Sequence, residues 1–430
     1  MLCSSLSLLP CNAATDRPSE KHKIDIEVPT VQDLLRKLTV LSTDRKTAHL
    51  RNSNYSLDHL PCFDPTYTRP VRSYHTCLIK MPVPVPFTSR VKGALVGLAV
   101  CDALGAPVEF KKRGSFPEVN TMLPNENFGT PAGSFTDDTS MALCLAHSLL
   151  DNGGETNIAD QVKKYIAWWQ EGYMSSTTGT AFDIGAQTKD TLTEWFKYLE
   201  EDYDNLDPDS VEAEQALRGM QKKVADSYSK EQCCGNGSLM RVLPVALIAR
   251  SEPDVVRLAK ESSLITHPHL RCAQACMVYS ALVYQTLNGA SRTEMAISLA
   301  ESINDPDPPN NITDFALEPV LRERIGRYQK LEDWESTLSE SIRSTGYVVD
   351  SLEAALWAFF KSDGFEEGAI LAANLGDDAD TIGAIYGGLA GAYHGVEAIP
   401  EKWLKDMKKM DIVNEVVDGI LTYRNQTVLT

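Results

Sequence analysis

Four glycines, Gly383, Gly387, Gly391 and Gly395, stand four residues apart within the run NLGDDADTIGAIYGGLAGAYHG. A four-residue step stacks positions along one face of an α-helix, so this face has no side chains at all. Ala384, Gly388 and Ala392 form the neighbouring stripe. Glycine inside a helix costs about 1 kcal/mol relative to alanine, a cost that close packing of another backbone can offset. The run therefore predicts a central helix over 381–396, with neighbouring helices pressed against its backbone.

The rest of the chain is compatible with such packing. Helical periodicity recurs at 90–104, 138–151, 158–171, 183–200, 211–228, 240–250, 254–265, 269–287, 292–303, 350–361 and 365–374, and alternating strand patterns are nearly absent. The expected fold is all-α: a compact multi-helix domain over 88–425. DPDPPNN (305–311) marks an exposed loop, and the charged stretch 318–340 carries no motif. Residues 1–87 are expected to be a poorly ordered extension. They hold nine of the 22 prolines and end in the stiff linker MPVPVPF. Val31–Leu41 is the one amphipathic stretch there, through Leu34, Leu35 and Leu38, and Met81 is a candidate internal start.

Charge and cysteine content narrow the function classes. The net charge of −18 is unevenly spread: residues 1–90 hold 12 Lys and Arg against 8 Asp and Glu, and the remainder 29 against 51. A body this acidic repels phosphate backbones, so nucleic acid is not an expected partner. Mean hydropathy is −0.22 and no apolar run of about 18 residues is apparent, so no membrane span is expected. Ten cysteines without a CxxC pair are not a disulfide scaffold; Cys272 and Cys276, one helical turn apart, read as buried free thiols. The first residues, MLCSSLSLLPCNAA, lack the basic start of a signal peptide. An intracellular, cytoplasmic monomer is expected, with a mitochondrial role for the acidic-containing extension left open.

The acidic clusters carry the chemistry. Asp377, Asp378 and Asp380 crowd the mouth of the glycine helix, followed by Thr381; Thr136, Asp137 and Asp138 open another helix in GSFTDDTSMALCLA. One carboxylate at a helix start is an ordinary cap, but three in four positions exceed what capping needs. Brought together, the clusters offer oxygen ligands only, which suit hard cations such as Mg²⁺ or Mn²⁺. Spacing excludes an EF-hand. Gly235–Val242 (GNGSLMRV) is a glycine loop opening a helix, suited to phosphate contacts through backbone amides. CDALGAPVEF breaks a helix and leaves Glu109 on a loop; TAFDIGAQT sets Asp183 among apolar neighbours, which would raise its pKa; THPHL places His267 and His269 about a helix start, where capping or packing is the default.

These six stretches, in order across about 90–400, resemble the ADP-ribosylglycohydrolase family, in particular the branch of the hydrolase that reactivates ADP-ribosylated dinitrogenase reductase. The resemblance implies an all-α fold with a dinuclear magnesium or manganese centre, and cleavage of the glycosidic bond at C1″ of ADP-ribose in protein or small-molecule conjugates. It assigns Thr136, Asp137, Asp138, Asp378, Asp380 and Thr381 as metal ligands. Gly235, Asn236, Gly237, Ser238 and Arg241 match the loop around the diphosphate and ribose, and His267 a histidine near the substrate. Glu109 matches a flap glutamate, and Asp183 an aspartate proposed as base in arginine-type hydrolases. Cys101 replaces the usual glycine of the motif before Asp102. Two rivals remain: a metal-dependent phosphoester hydrolase acting on a nucleotide, and a non-catalytic binding or structural relative.

Overall fold

The computed structural model describes residues 84–304 and 317–426. Residues 1–83 of the expected extension, including Val31–Leu41, and the loop 305–311 lie outside the described residues, while Phe87, expected in the extension, already opens the first helix. Among the described residues sixteen α-helices follow in order: α1 (Phe87–Gly105), α2 (Asp137–Asp151), α3 (Ile158–Glu171), α4 (Ala186–Tyr198), α5 (Val211–Tyr228), α6 (Leu243–Ile248), α7 (Glu252–Leu264), α8 (Leu270–Leu287), α9 (Arg292–Asn304), α10 (Pro319–Ile325), α11 (Leu331–Ser336), α12 (Val348–Lys361), α13 (Phe365–Ala373), α14 (Ala379–His394), α15 (Glu401–Asp406) and α16 (Met410–Gln426). Among the described residues there is no strand, only the bridges Asn125–Thr130 and Gly235–Tyr347. The all-α expectation holds.

The glycine stripe works through a second stripe on α1. Gly93 faces Gly391, Gly97 faces Gly387, and Cys101 faces Gly383, so α1 and α14 run antiparallel with their backbones in contact. A Cβ added at Gly387 or Gly391 would land on the carbonyl oxygen of Gly97 or Gly93. Cys101 is tolerated on the α1 stripe because its own Cβ sits against glycines. Gly395 departs from the expectation: the helix ends at His394, and Gly395 follows it at φ +81°, a left-handed position suited to glycine.

Both helices are almost wholly buried. The segment Phe87–Val108 is long and apolar enough to cross a membrane by length and mean hydropathy, which the reading of apolar runs had missed. Within this fold, however, 94% of its apolar window is buried in protein.

Several element boundaries differ from the sequence expectation. The segment predicted to be helical from 183 starts only at Ala186, because Asp183 sits at φ +61°. The glycine loop does not open directly into a helix: residues 236–242 form successive turns and α6 begins at Leu243. The charged stretch 318–340 contains α10 and α11, and three of its charges, Glu318, Arg324 and Arg327, have charged partners. Arg324 bonds Asp350 and Glu353 at 2.9 Å each, Arg327 pairs with Glu353, and Glu318 receives two bonds from Arg271. Asp350 and Glu353 are buried on α12, so this stretch compensates charges the core would otherwise leave unpaired.

Candidate metal centre and substrate cleft

The antiparallel α1–α14 pairing sets the C-terminal end of α1 beside the N-terminal end of α14. A Cβ at Gly105 would meet Ala379 and Asp380, so the chain leaving α1 passes directly over the second acidic cluster. The turn Ala106–Val108 then delivers Glu109 to it, buried rather than exposed on a loop. α2 is joined from the other side. Asp102, buried within α1, accepts the amides of Thr136 (3.0 Å) and Thr139 (3.1 Å) and the Thr139 hydroxyl. One carboxylate on α1 thus caps the start of α2 and fixes where Thr136, Asp137 and Asp138 point.

These elements surround a cleft of about 320 Å³ whose lining includes Glu109, Asp137, Asp138, Asp183, Asp378, Asp380 and Thr381. Six of its lining residues are carboxylates and none is Lys or Arg. Carboxylate oxygens of Asp102, Asp138 and Asp380 lie within 4.8 Å of one another, as do those of Glu109, Asp378 and Asp380. Thr136 donates to Asp138 at 3.0 Å. Asp138 Oδ1, Glu109 Oε2 and Asp183 Oδ2 are buried with no hydrogen-bond partner.

Simple capping does not account for this. Asp378 occupies the N-cap position of α14 yet makes no capping bond; its Oδ2 instead accepts from Asn236 Nδ2.

Electrostatics agree with the geometry. Burial, then Asp138 and Asp378, pushes the Asp380 carboxyl well above its usual range; burial, then Asp183 and Asp138, does the same at Asp137. Asp138 rises through burial and its Asp102 and Asp378 neighbours. Burial raises Asp378 to about 6, held down by the Asn236 bond, and Asp102 to about 7. Crowded buried carboxylates without a cation retain protons. Oxygen donors, orphaned lone pairs and the absence of lining cations together fit hard divalent ions.

Asp183 faces this cluster from the loop before α4. Burial raises its carboxyl, and a hydrogen bond from Glu109 opposes the rise; burial, Asp380 and Asp183 push Glu109 higher still. Glu109 does not sit on a free flap. Phe110 N donates to Asp377 O (2.6 Å) and Asp377 N to Lys111 O (2.7 Å), and motion of this segment would break both bonds.

The glycine loop is only partly a lining element. Gly235, Asn236 and Gly237 line the cleft. The Gly237 and Ser238 amides donate to no protein acceptor among the described residues; Gly237, which lines the cleft, leaves its amide available to an anion. The Ser238 and Arg241 side chains, expected to meet substrate, turn away. Ser238 Oγ is buried and accepts from Ser263 (2.8 Å) and Cys276 (3.4 Å). Arg241, fully buried, clamps Gly237 O (2.9 Å) and Thr266 Oγ1 (2.7 Å) and stacks over Tyr165. It shapes the loop from behind because a buried guanidinium needs acceptors on several sides.

His267 lines the cleft, against its default reading, whereas His269 is the cap of α8, accepting from Arg271 N at 3.1 Å. Thr266 Oγ1 accepts from Arg241, which leaves its hydrogen for His267 Nδ1 at 2.9 Å. The network assigns the Nε2–H tautomer to His267. Burial and the nearby Arg241 lower its pKa to about 3. Nitrogen-edited NMR should show His267 neutral and protonated on Nε2 down to pH 5; a titration between pH 5 and 8 would contradict that network.

The sequence reading passed over three groups. Asp102 lies in the quoted CDALG stretch, but nothing local shows that it caps a distant helix. Gly346 lines the cleft beside Asp378 and its carbonyl receives Asn236 N (3.1 Å); a glycine after Ser344 and Thr345 and before a helix was the available signal. Ile184–Thr188 and Met240 also line the cleft; they lie within the quoted stretches TAFDIGAQT and GNGSLMRV, where no role was given to them.

The fold and cleft define an all-α enzyme with an acidic, oxygen-only centre beside a glycine loop. The chain belongs to the ADP-ribosylglycohydrolase family, hydrolases of ADP-ribosylated substrates, and the family model of that description matches residues 84–428. It is 35% identical over 318 residues to "ADP-ribosylarginine hydrolase Tri1" of Pseudomonas putida (strain GB-1), covering 74% of this chain and 73% of that one. It is 27% identical to "ADP-ribosyl-[dinitrogen reductase] glycohydrolase" of Rhodospirillum rubrum, covering 77% and 95%. Among solved structures, an "ADP-ribosylglycohydrolase-related protein complex" matches with a TM-score of 0.59 at 33% identity, over 79% of this chain and 98% of that one.

Proposed function

We propose that this enzyme hydrolyses the bond between C1″ of ADP-ribose and an arginine guanidinium on a protein or small molecule, using two divalent cations, Mg²⁺ or Mn²⁺. The observation that carries the reading is the convergence of two helix mouths into one buried carboxylate cluster with orphaned oxygens and no lining cation. The arginine linkage is supported by the name of the relative that is 35% identical.

Thr136, Asp137, Asp138, Asp378, Asp380 and Thr381 would hold the cations, with the Glu109 carboxylate within 4.8 Å of those of Asp378 and Asp380. When bound, such ions supply positive charge and Lewis acidity for an oxygen nucleophile. The residues of the chain do the rest. The Gly237 amide holds the diphosphate, so remote binding energy positions the reacting carbon. His267 offers an Nε2–H donor to a sugar hydroxyl. Asp183 takes the proton of the attacking water, and the surrounding carboxylates stabilise the positive charge that develops at C1″.

Calorimetry of the purified enzyme should show Mg²⁺ or Mn²⁺ binding that Asp380→Ala weakens tenfold or more, the usual scale for damage to a metal site being about 10–100-fold. Full activity after exhaustive chelation would refute the cation reading. The rival phosphoester activity is separated by products from ADP-ribosyl-arginine, ADP-ribosyl-serine and ADP-ribose 1″-phosphate: the proposal requires free ADP-ribose and unmodified arginine from the first.

A further inference from the structure

Phe110 follows Glu109 at the lip of the cleft and is 66% exposed. Its backbone sits at φ +62°, a left-handed position that a bulky residue adopts only under constraint. An exposed aromatic ring forgoes burial, and the strained backbone adds to the unfavourable balance. Neither helps the fold. The constraint is visible: the paired bonds Phe110 N to Asp377 O and Asp377 N to Lys111 O hold the segment in place. Five non-glycine residues among the described ones have positive φ, and three of them, Phe110, Asp183 and Asp377, belong to the loops around this cleft. Strain gathered in this way marks a surface kept for a ligand.

Position in the cleft narrows the ligand. Phe110 adjoins Glu109, whose carboxylate lies within 4.8 Å of those of Asp378 and Asp380 and which shares the cleft lining with Asp183. That is the carboxylate end, where the scissile bond lies, and not the glycine loop that suits the diphosphate. What passes the carboxylate end on its way out to solvent is the acceptor. An aromatic face beside a field of carboxylates favours a planar cation, because a guanidinium stacks on a ring and pairs with carboxylates at the same time.

We propose that Phe110 is the acceptor-recognition residue, its ring forming the platform on which the guanidinium of the ADP-ribosylated arginine rests. The inference depends on the arginine reading above. It places Phe110 outside the cation cradle and outside the diphosphate site, so its effect is confined to the acceptor.

The test compares wild type, Phe110→Leu and Phe110→Trp on ADP-ribosylarginine, with free ADP-ribose binding measured by calorimetry on the same preparations. Phe110→Leu keeps apolar bulk but removes the π face, and should lower kcat/KM about threefold to thirtyfold, the range a cation–π contact spans. Phe110→Trp should retain or raise it. ADP-ribose affinity and melting temperature should match wild type in both. Unchanged kcat/KM in Phe110→Leu overturns the platform; a parallel loss of ADP-ribose affinity overturns it too, by placing the ring on the nucleotide. Failure of the wild-type enzyme to cleave ADP-ribosylarginine is a separate result, and refutes the linkage reading itself.

Discussion

Replacing Gly391 by alanine should destabilise the enzyme by about 4 kcal/mol or more, at the far end of what single substitutions do. The added Cβ would fall on the carbonyl oxygen of Gly93, on a helix buried along nearly its whole length. A backbone carbonyl cannot rotate aside like the end of a side chain, so α1 and α14 must separate, loosening every layer packed on them. Overpacking of flexible neighbours usually costs about 1–3 kcal/mol; contact between two helix backbones leaves less room to relax. The same chemical change at Gly219, mid-way along α5, meets nothing within 4 Å. There alanine should stabilise by about 1 kcal/mol through helix propensity alone. Urea denaturation of both variants checks the pair. Equal effects would mean that the α1–α14 contact is not tight.

The second large effect concerns the proton carriers. Asp183→Asn should lower kcat by about 10²–10⁴-fold, the span expected when acid–base help is lost. Cation and ADP-ribose binding should change little, because Asp183, though it faces the cluster, belongs to neither group of carboxylates that lie within 4.8 Å of one another and is not part of the glycine loop. Glu109→Gln should behave differently. A carboxylate oxygen of Glu109 lies with those of Asp378 and Asp380 within 4.8 Å, so the variant should lose cation affinity along with kcat. Its backbone is pinned at Asp377, so a loop-closure defect visible in KM alone is not expected. Single-turnover kinetics on one substrate, with calorimetry alongside, separates these outcomes. Near-normal chemistry in Asp183→Asn beside an inactive Glu109→Gln with intact cation binding would reverse the two roles.

Twelve of the helices and the two acidic helix mouths were legible in the sequence, whereas α10, α11, α15 and α16 were not. Ile158–Glu171 and Val211–Tyr228 could be read to the residue, since amphipathic periodicity and Asn157 or Ser210 at the cap are local properties. The paired clusters at Thr136–Asp138 and Asp378–Thr381 could be read too, because several like charges at a helix start have no local explanation. The glycine stripe announced a close neighbour but not its identity: that α1 supplies the matching stripe depends on contacts some 290 residues apart in sequence. The direction of each side chain followed from packing between distant segments. That packing turned Ser238 and Arg241 behind the loop, gave Asp102 to the start of α2, and gave charged partners to Glu318, Arg324 and Arg327. A hydrogen bond between distant segments leaves no periodic trace in either one, whereas a helix face or a cap is written in residues that stand beside each other.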